Sequence, residues 1–274
     1  FTPFLDSLSK HSLIFPNAFA TSRKSIHAMP SVLAGVPSFE IAYTSSYYSR
    51  QKLESLVSIS NALGYDTSFL HGAKNGSMGF QGFANTLGYD NYYGRDEFNN
   101  DEEYDGFWGI WDEPFLQFSK SILDYKNEPF LATIFTLSSH EPYIIPDKFK
   151  GMFDNGYLPI HKCVGYTDYS IRQFFKSIEK SSWFENTVFI FTSDHTNQSY
   201  YKYYQSTVNR FATPLIIYKK NSDFKGVDNR LASHLDIYPT VAELIGYKKP
   251  FRSWGRSLLS GKNEPPFTIN YFGG

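Results

Sequence analysis

Continuous apolar runs, rather than alternating ones, mark this chain. DTSFLHG at 66–72, PFLATIFTL at 129–137, NTVFIFTSDHT at 186–196 and TPLIIYKK at 213–220 are rich in β-branched or aromatic residues, and each breaks off into a polar or turn-forming stretch. A strand covered on both faces has no polar face to alternate with, so such runs predict buried strands. Between them lie stretches with helical spacing. Leu53, Leu56, Val57, Ile59 and Leu63 predict a helix within 47–64. Tyr169, Ile171, Phe174, Phe175 and Ile178 predict one over 165–182, and LDIYPTVAELIG predicts one over 235–246, closed by Gly246. Strands alternating with helices define an α/β domain with a central, mostly parallel sheet flanked by helices. Two segments break the alternation. Residues 72–112, rich in Gly, Asn, Asp and aromatics, read mainly as long loops over a rim, and 146–162 as a second such loop. The Pro- and Gly-containing stretch 250–274 reads as an edge or connector.

Composition narrows this little. With 274 residues, 41% hydrophobic and 19% aromatic, the chain suits a single domain over 1–274 with a sizeable core. A formal net charge of −1 gives no footing for a nucleic-acid partner. The lone cysteine, Cys163, excludes an internal disulfide and a cysteine metal cluster. No run reaches the roughly 18–20 apolar residues that span a bilayer, and no signal peptide opens the chain. FTPFLDSLSK and FTINYFGG both read as mid-domain sequence, so the expectation is a segment of a longer protein.

The candidate chemistry gathers at strand ends. Asp194-His195 follows VFIFTS directly, His140 follows the 129–137 run in SSHEPY, and His71 follows TSFL in LHGA. Carboxyl ends of strands in an open α/β sheet face the ligand crevice. There a carboxylate and an imidazole suit a divalent ion such as zinc or manganese. A structural reading stays open for each: Asp194 caps a turn, and the histidines are surface or core residues. Ser25, in RKSIHAMPSVLAG, is either the N-cap of the following helix or a nucleophile. Lys24 beside it would draw an anionic ester to the helix start. In FWGIWDE, Trp108, Trp111 and Asp112 form either an aromatic, acidic rim or a buried pair of indoles with its carboxylate. His234 and Asp236 in SHLDIYPT read as helix-start capping and core hydrogen bonding.

Taken in order, KSIHAMPSVLAGVP, FLHGAKNGSMGF, LGYDNYYG, WGIWDE, TLSSHEPY, TSDHT and SHLDIYPTVAELIG resemble the sulfatase/alkaline-phosphatase superfamily, over nearly the whole chain. The likeness is to its lipoteichoic-acid-synthase-like branch, with phosphoethanolamine transferases as cousins. The resemblance implies an alkaline-phosphatase-like fold and one divalent metal ion, zinc or manganese first, magnesium or calcium otherwise. Ser25 would be the metal-bound nucleophile, Asp194 and His195 metal ligands, and His71, His140, Lys24 and Trp108 substrate contacts. The implied reaction is phosphoryl-group transfer or phosphodiester hydrolysis, through a covalent serine ester, on a phospholipid or cell-envelope headgroup. The implied setting is the extracytoplasmic face of a bacterial inner membrane, with N-terminal membrane helices. Three departures follow. The family's remaining acidic ligand belongs at the end of a first strand, which is expected upstream of Phe1. The family's phosphoglycerol contacts fall here on Ala73, Met78 and Phe80. The Cys/Ser-x-Pro-x-Arg signature of formylglycine sulfatases is absent. A sulfatase-like ester hydrolase and a catalytically incomplete glycan- or lipid-binding module are the alternatives.

Overall fold

A computed structural model describes residues 1–260 and 265–271. In chain order its regular elements begin with α1 (Pro3–Ser9), β1 (Leu13–Ile14), β2 (Ala18–Phe19), α2 (Ser25–Ala34) and α3 (Leu56–Ala62). Then come β3 (Asp66–His71), α4 (Phe80–Leu87), β4 (Asn91–Tyr93), α5 (Arg95–Phe98), α6 (Asp112–Leu123) and β5 (Phe130–Phe135). The chain continues through α7 (Ile160–Ile178), β6 (Phe189–Thr192), β7 (Leu215–Tyr218), β8 (Gly226–Val227), β9 (Ala232–Ser233) and α8 (Ile237–Leu244).

All four apolar runs form strands. β3 pairs in parallel with β4 on one side and β5 on the other, Asp66 opposite Phe130 through His71 opposite Phe135. Helices cross over between these strands, as parallel pairing requires. β6 and β7 are antiparallel, as are β7 and β1, while β1–β8 and β2–β9 are parallel. The connection from β6 to β7 holds only short 3-10 turns. With no crossover helix to carry the chain back, β7 returns antiparallel. The strands form three hydrogen-bonded groups, β4-β3-β5, β6-β7-β1-β8 and β2-β9, so the layout is mostly parallel with an antiparallel portion. The strand expected upstream of Phe1 lies outside the described residues.

The principal core packs Phe15, Leu33, Val57, Phe69, Phe80, Ile217 and Tyr238 between α2, α3, α4, α8 and the sheets. A second core joins Leu8, Leu116, Phe174, Phe175, Ile178 and Trp183 where α1, α6 and α7 meet. Fully burying a side chain of this size stabilises by about 1.5–3 kcal/mol.

Four sequence expectations change. The helix expected within 47–64 is confined to Leu56–Ala62, because Ser55 and Ser58 form a reciprocal capping box that starts it there. The 72–112 segment is not mainly loop. Phe80, Phe83, Ala84 and Leu87 bury one face of α4, and left-handed Gly79 and Gly88 bracket that helix. Those glycines mark helix ends rather than an absence of structure. The helix expected over 165–182 starts earlier, at Ile160. The stretch expected as an edge or connector folds back on the body. Leu258 is buried and its amide donates to the Thr240 hydroxyl, while the Tyr271 amide donates to the Thr21 carbonyl. Residues 261–264 and 272–274 of that stretch lie outside the described residues. Among the described residues, no helix is long and apolar enough to cross a membrane.

Candidate active site

The strand ends and the start of α2 meet at one cavity of about 110 Å³, lined by Ser25, His71, Trp108, His140, Asp194 and His195 among others. Chain segments distant in sequence therefore deliver polar groups to one place. Lys24 is exposed at the N-cap of α2 and does not line this cavity.

Ser25 is the first residue of α2, and Lys24 occupies the cap position without a side-chain capping bond. The capping reading of Ser25 therefore does not hold. Its Oγ lies instead 3.4 Å from His195 Nε2. At this helix end the Ser25 and Ile26 amides have no acceptor within the helix, which favours negative charge nearby.

His195 Nδ1 lies 2.8 Å from the Thr196 carbonyl, which can only accept, so Nδ1 carries the proton. In the neutral ring the Nε2 lone pair then faces Ser25 Oγ and, at 3.3 Å, Asp194 Oδ2. The other carboxylate oxygen, Asp194 Oδ1, accepts from the His195 amide. A lone pair directed at a carboxylate is repulsive unless a cation stands between them. This donor set of one hydroxyl, one carboxylate and one imidazole fits a divalent metal ion. Among the described residues no group of three His, Cys, Asp or Glu comes together.

His71, at the end of β3, is buried. Its Nδ1 donates to the Phe135 carbonyl at 2.9 Å, its ring stacks on Phe135, and Nε2 is left without a partner among the described residues. Burial pushes its imidazole down to about 4, against the opposing pull of the Phe135 carbonyl and Asp194. His71 is thus a neutral acceptor on the cavity wall. His140 is exposed at the mouth, with Nδ1 3.1 Å from the Glu141 carbonyl. Its ring centroid is 4.2 Å from that of Trp108, whose indole N–H donates to the same carbonyl.

The two tryptophans part company. Trp111 is buried, whereas Trp108 is 39% exposed and lines the cavity. Asp105 Oδ1 accepts from the Phe107, Trp108 and Gly109 amides and shapes their turn. A Cβ on Gly109 would sit 2.8 Å from Ala73 Cα. Only glycine allows this close approach, which staples the Trp108 turn to the strand end bearing His71. Asp112 is no rim carboxylate: it is buried beneath the turn that leads to His140. Of the positions where the family places phosphoglycerol contacts, Ala73 and Met78 line the cavity, while Phe80 is buried against the His71 ring.

Sequence reasoning missed Asn197 and Ser139, which line the cavity without any motif to mark them. His234 acts from behind: its Nε2 donates to the Ser193 carbonyl, one residue before Asp194. Burial pushes His234 down to about 4, against the pull of the Ser193 carbonyl and Asp194. In the unfolded chain an imidazole titrates near 6.5. The unfolded state therefore binds more protons between about 4 and 6.5, and this contribution to stability is lost as pH falls through that window. One such group contributes about 1.4 kcal/mol per pH unit. His234→Asn removes it, so the stability gap between wild type and variant is expected to narrow by that slope from pH 6 to pH 5. Denaturant unfolding at several pH values measures it, and a constant gap would refute the neutral buried histidine.

The fold and the serine–aspartate–histidine cluster define an alkaline-phosphatase-like enzyme scaffold. The sequence profile of the Sulfatase family matches residues 1–247, and the chain belongs to that family. It is 24% identical over 291 residues to lipoteichoic acid synthase 1 of Bacillus subtilis, covering 96% of this chain and 45% of the relative. It is 26% identical over 293 residues to phosphoglycerol transferase I of Citrobacter koseri, covering 98% of this chain and 37% of the relative. The chain thus spans under half the length of these curated relatives. Among solved structures, an alkaline phosphatase superfamily protein from Vibrio parahaemolyticus superposes with a TM-score of 0.84 at 26% identity, over 97% of this chain and 64% of that one. The lipoteichoic acid synthase LtaP from Listeria monocytogenes superposes at 0.80 and 21% identity, over 92% and 67%, a likeness of fold.

Proposed function

We propose that the chain is the catalytic domain of a metal-dependent phosphotransferase or phosphodiesterase acting on a phospholipid or other cell-envelope headgroup. The observation that carries this is the placement of Ser25 Oγ against His195 Nε2, beside Asp194, at a helix N-terminus. The relatives named a lipoteichoic acid synthase and a phosphoglycerol transferase support envelope phosphodiesters as the substrate class. The domain belongs, in this reading, on the extracytoplasmic face of a bacterial inner membrane, attached through helices outside the described residues.

Ser25, Asp194 and His195 would hold the divalent ion, joined by an acidic side chain from outside the described residues. When bound, the ion lowers the pKa of the serine hydroxyl and offsets developing negative charge. Ser25 Oγ forms a bond to phosphorus as the ester oxygen–phosphorus bond breaks, and the leaving alcohol departs with that electron pair. The serine proton ends on the leaving oxygen, with His140 Nε2 carrying it at the cavity mouth. His71 Nε2 accepts a hydrogen bond from a headgroup hydroxyl. A second alcohol, or water, then attacks phosphorus, takes the phosphoryl group and restores the serine hydroxyl.

Parallel assays on phosphatidylglycerol micelles, an aryl phosphodiester and an aryl sulfate test this reading. Phosphodiester turnover is expected, lost on chelation and restored by manganese or zinc, with sulfate turned over at least roughly 100-fold more slowly. Equal or faster sulfate turnover would favour a sulfatase-like hydrolase. Binding without turnover of any ester would favour a glycan- or lipid-binding module.

A further inference from the structure

The segment just beyond the Asp194–His195 pair takes no part in the chemistry above, yet it is unusually aromatic. Tyr200, Tyr201, Tyr203 and Tyr204 surround Lys202, and all five are exposed. Tyr201 and Tyr203 expose 62% and 63% of their surface. From a separate loop, Tyr157 stacks flat on Tyr200, with ring centroids 4.2 Å apart and planes 7° from parallel. The display is braced from below. The Gln205 side-chain amide donates to the Ser199 and Tyr200 carbonyls, and the Arg23 guanidinium donates to the Asn197 carbonyl. The rings are therefore held out by a built loop, and a contiguous exposed patch of this kind marks an interaction surface. Its base, Asn197, lines the catalytic cavity, so patch and cavity mouth are continuous.

We infer that this tyrosine plate seats the domain on a lipid bilayer surface bearing anionic headgroups. Tyrosine has an apolar body and a polar tip, the combination that settles at headgroup depth. Lys202, Arg23 and Lys24 are all exposed and bring positive charge to this side of a chain whose formal net charge is −1. That charge complements an anionic surface. A sugar-binding site would need an open ring face within a cleft. Here Tyr157 and Tyr200 each lose one face to the other, and the catalytic cavity is lined by none of these five tyrosines. Seated this way, the cavity mouth meets a phosphodiester at the bilayer surface.

The inference rests on the lipid-headgroup reading only for what the site does once seated, because attachment is measured without turnover. The test is co-sedimentation of the chain with phosphatidylcholine vesicles containing or lacking phosphatidylglycerol. Wild type is expected to pellet with the anionic vesicles. The double variant Tyr201→Ser/Tyr203→Ser is expected to bind roughly tenfold more weakly, and Lys202→Ala about fivefold. Both variants keep the wild-type melting temperature and the turnover of a soluble aryl phosphodiester. Wild type remaining in the supernatant, or the double variant pelleting like wild type, overturns the inference. So does a tyrosine fluorescence response to maltoheptaose with none to vesicles. Vesicle binding without turnover of any phosphodiester keeps the plate and removes the headgroup reading; turnover of the soluble ester without vesicle binding does the reverse.

Discussion

Ser25→Ala is expected to lower phosphodiester turnover by roughly 10⁴-fold or more, because removing a nucleophile removes the covalent route rather than weakening it. Folding should survive the change. The Ser25 hydroxyl caps nothing, and its neighbour in space is His195 Nε2 at 3.4 Å rather than a backbone amide. Alanine at the first turn of α2 is also a good helix former. A melting temperature near wild type together with lost turnover therefore separates catalysis from stability. Mass spectrometry of the quenched wild type should find a phosphoryl-bearing adduct on the peptide containing Ser25, absent from the variant. Wild-type rates in Ser25→Ala would sink the covalent mechanism, and an adduct on another residue would reassign the nucleophile.

How far the sequence carried depends on what kind of signal each element left. The four strands were legible as continuous apolar runs, and β3, β5, β6 and β7 lie within them, but only β3 and β7 are buried along most of their length, while β5 and β6 are half-buried throughout. His71, His140, Asp194 and His195 were legible because each follows such a run, and their arrival at one cavity follows from topology. Helix α4 was not read. The glycines that end it, Gly79 and Gly88, look like loop composition, although Phe80, Phe83, Ala84 and Leu87 keep helical spacing. The antiparallel return of β7 left no trace in hydrophobicity, since direction is decided by the connection. Trp108 and Trp111 lie three residues apart with the same chemistry, yet one is exposed and one buried. That difference comes from the Asp105 turn, which is local, and from the Gly109 contact with Ala73, which is tertiary. Lys24 was expected at the substrate by adjacency to Ser25, but at a helix start adjacent side chains point apart.

The largest structural effect is expected at Asp112, which neither motif nor exposure singles out as a support. Its Oδ1 accepts from the Leu137 and Ser138 amides at 2.8 and 3.0 Å, and its Oδ2 from the Thr167 hydroxyl at 2.8 Å. Its own amide donates to Ser138 Oγ. One buried carboxylate thus joins the start of α6, the turn after β5 and the middle of α7. Ser139 and His140, which line the cavity, continue directly from that turn. Asp112→Ala strands two amides and a hydroxyl without acceptors, a cost of about 3–5 kcal/mol. For a domain of this size that lowers the melting temperature by roughly 10 °C. Asp112→Asn is a different experiment. Its amide oxygen can keep both backbone amides, and its NH₂ can donate to Thr167 Oγ with the hydroxyl reversed. Burial already pushes the Asp112 carboxyl up, against the amide and hydroxyl bonds that pull it down, so the loss of charge is well tolerated here. The asparagine variant should therefore melt close to wild type and keep most of its turnover, while the alanine variant loses both as the His140 turn drifts. Calorimetry and steady-state rates on the two variants decide the matter: if alanine melts like wild type, the carboxylate is not what holds the turn, and if asparagine falls as far as alanine, it is the negative charge rather than the acceptor geometry that the fold requires.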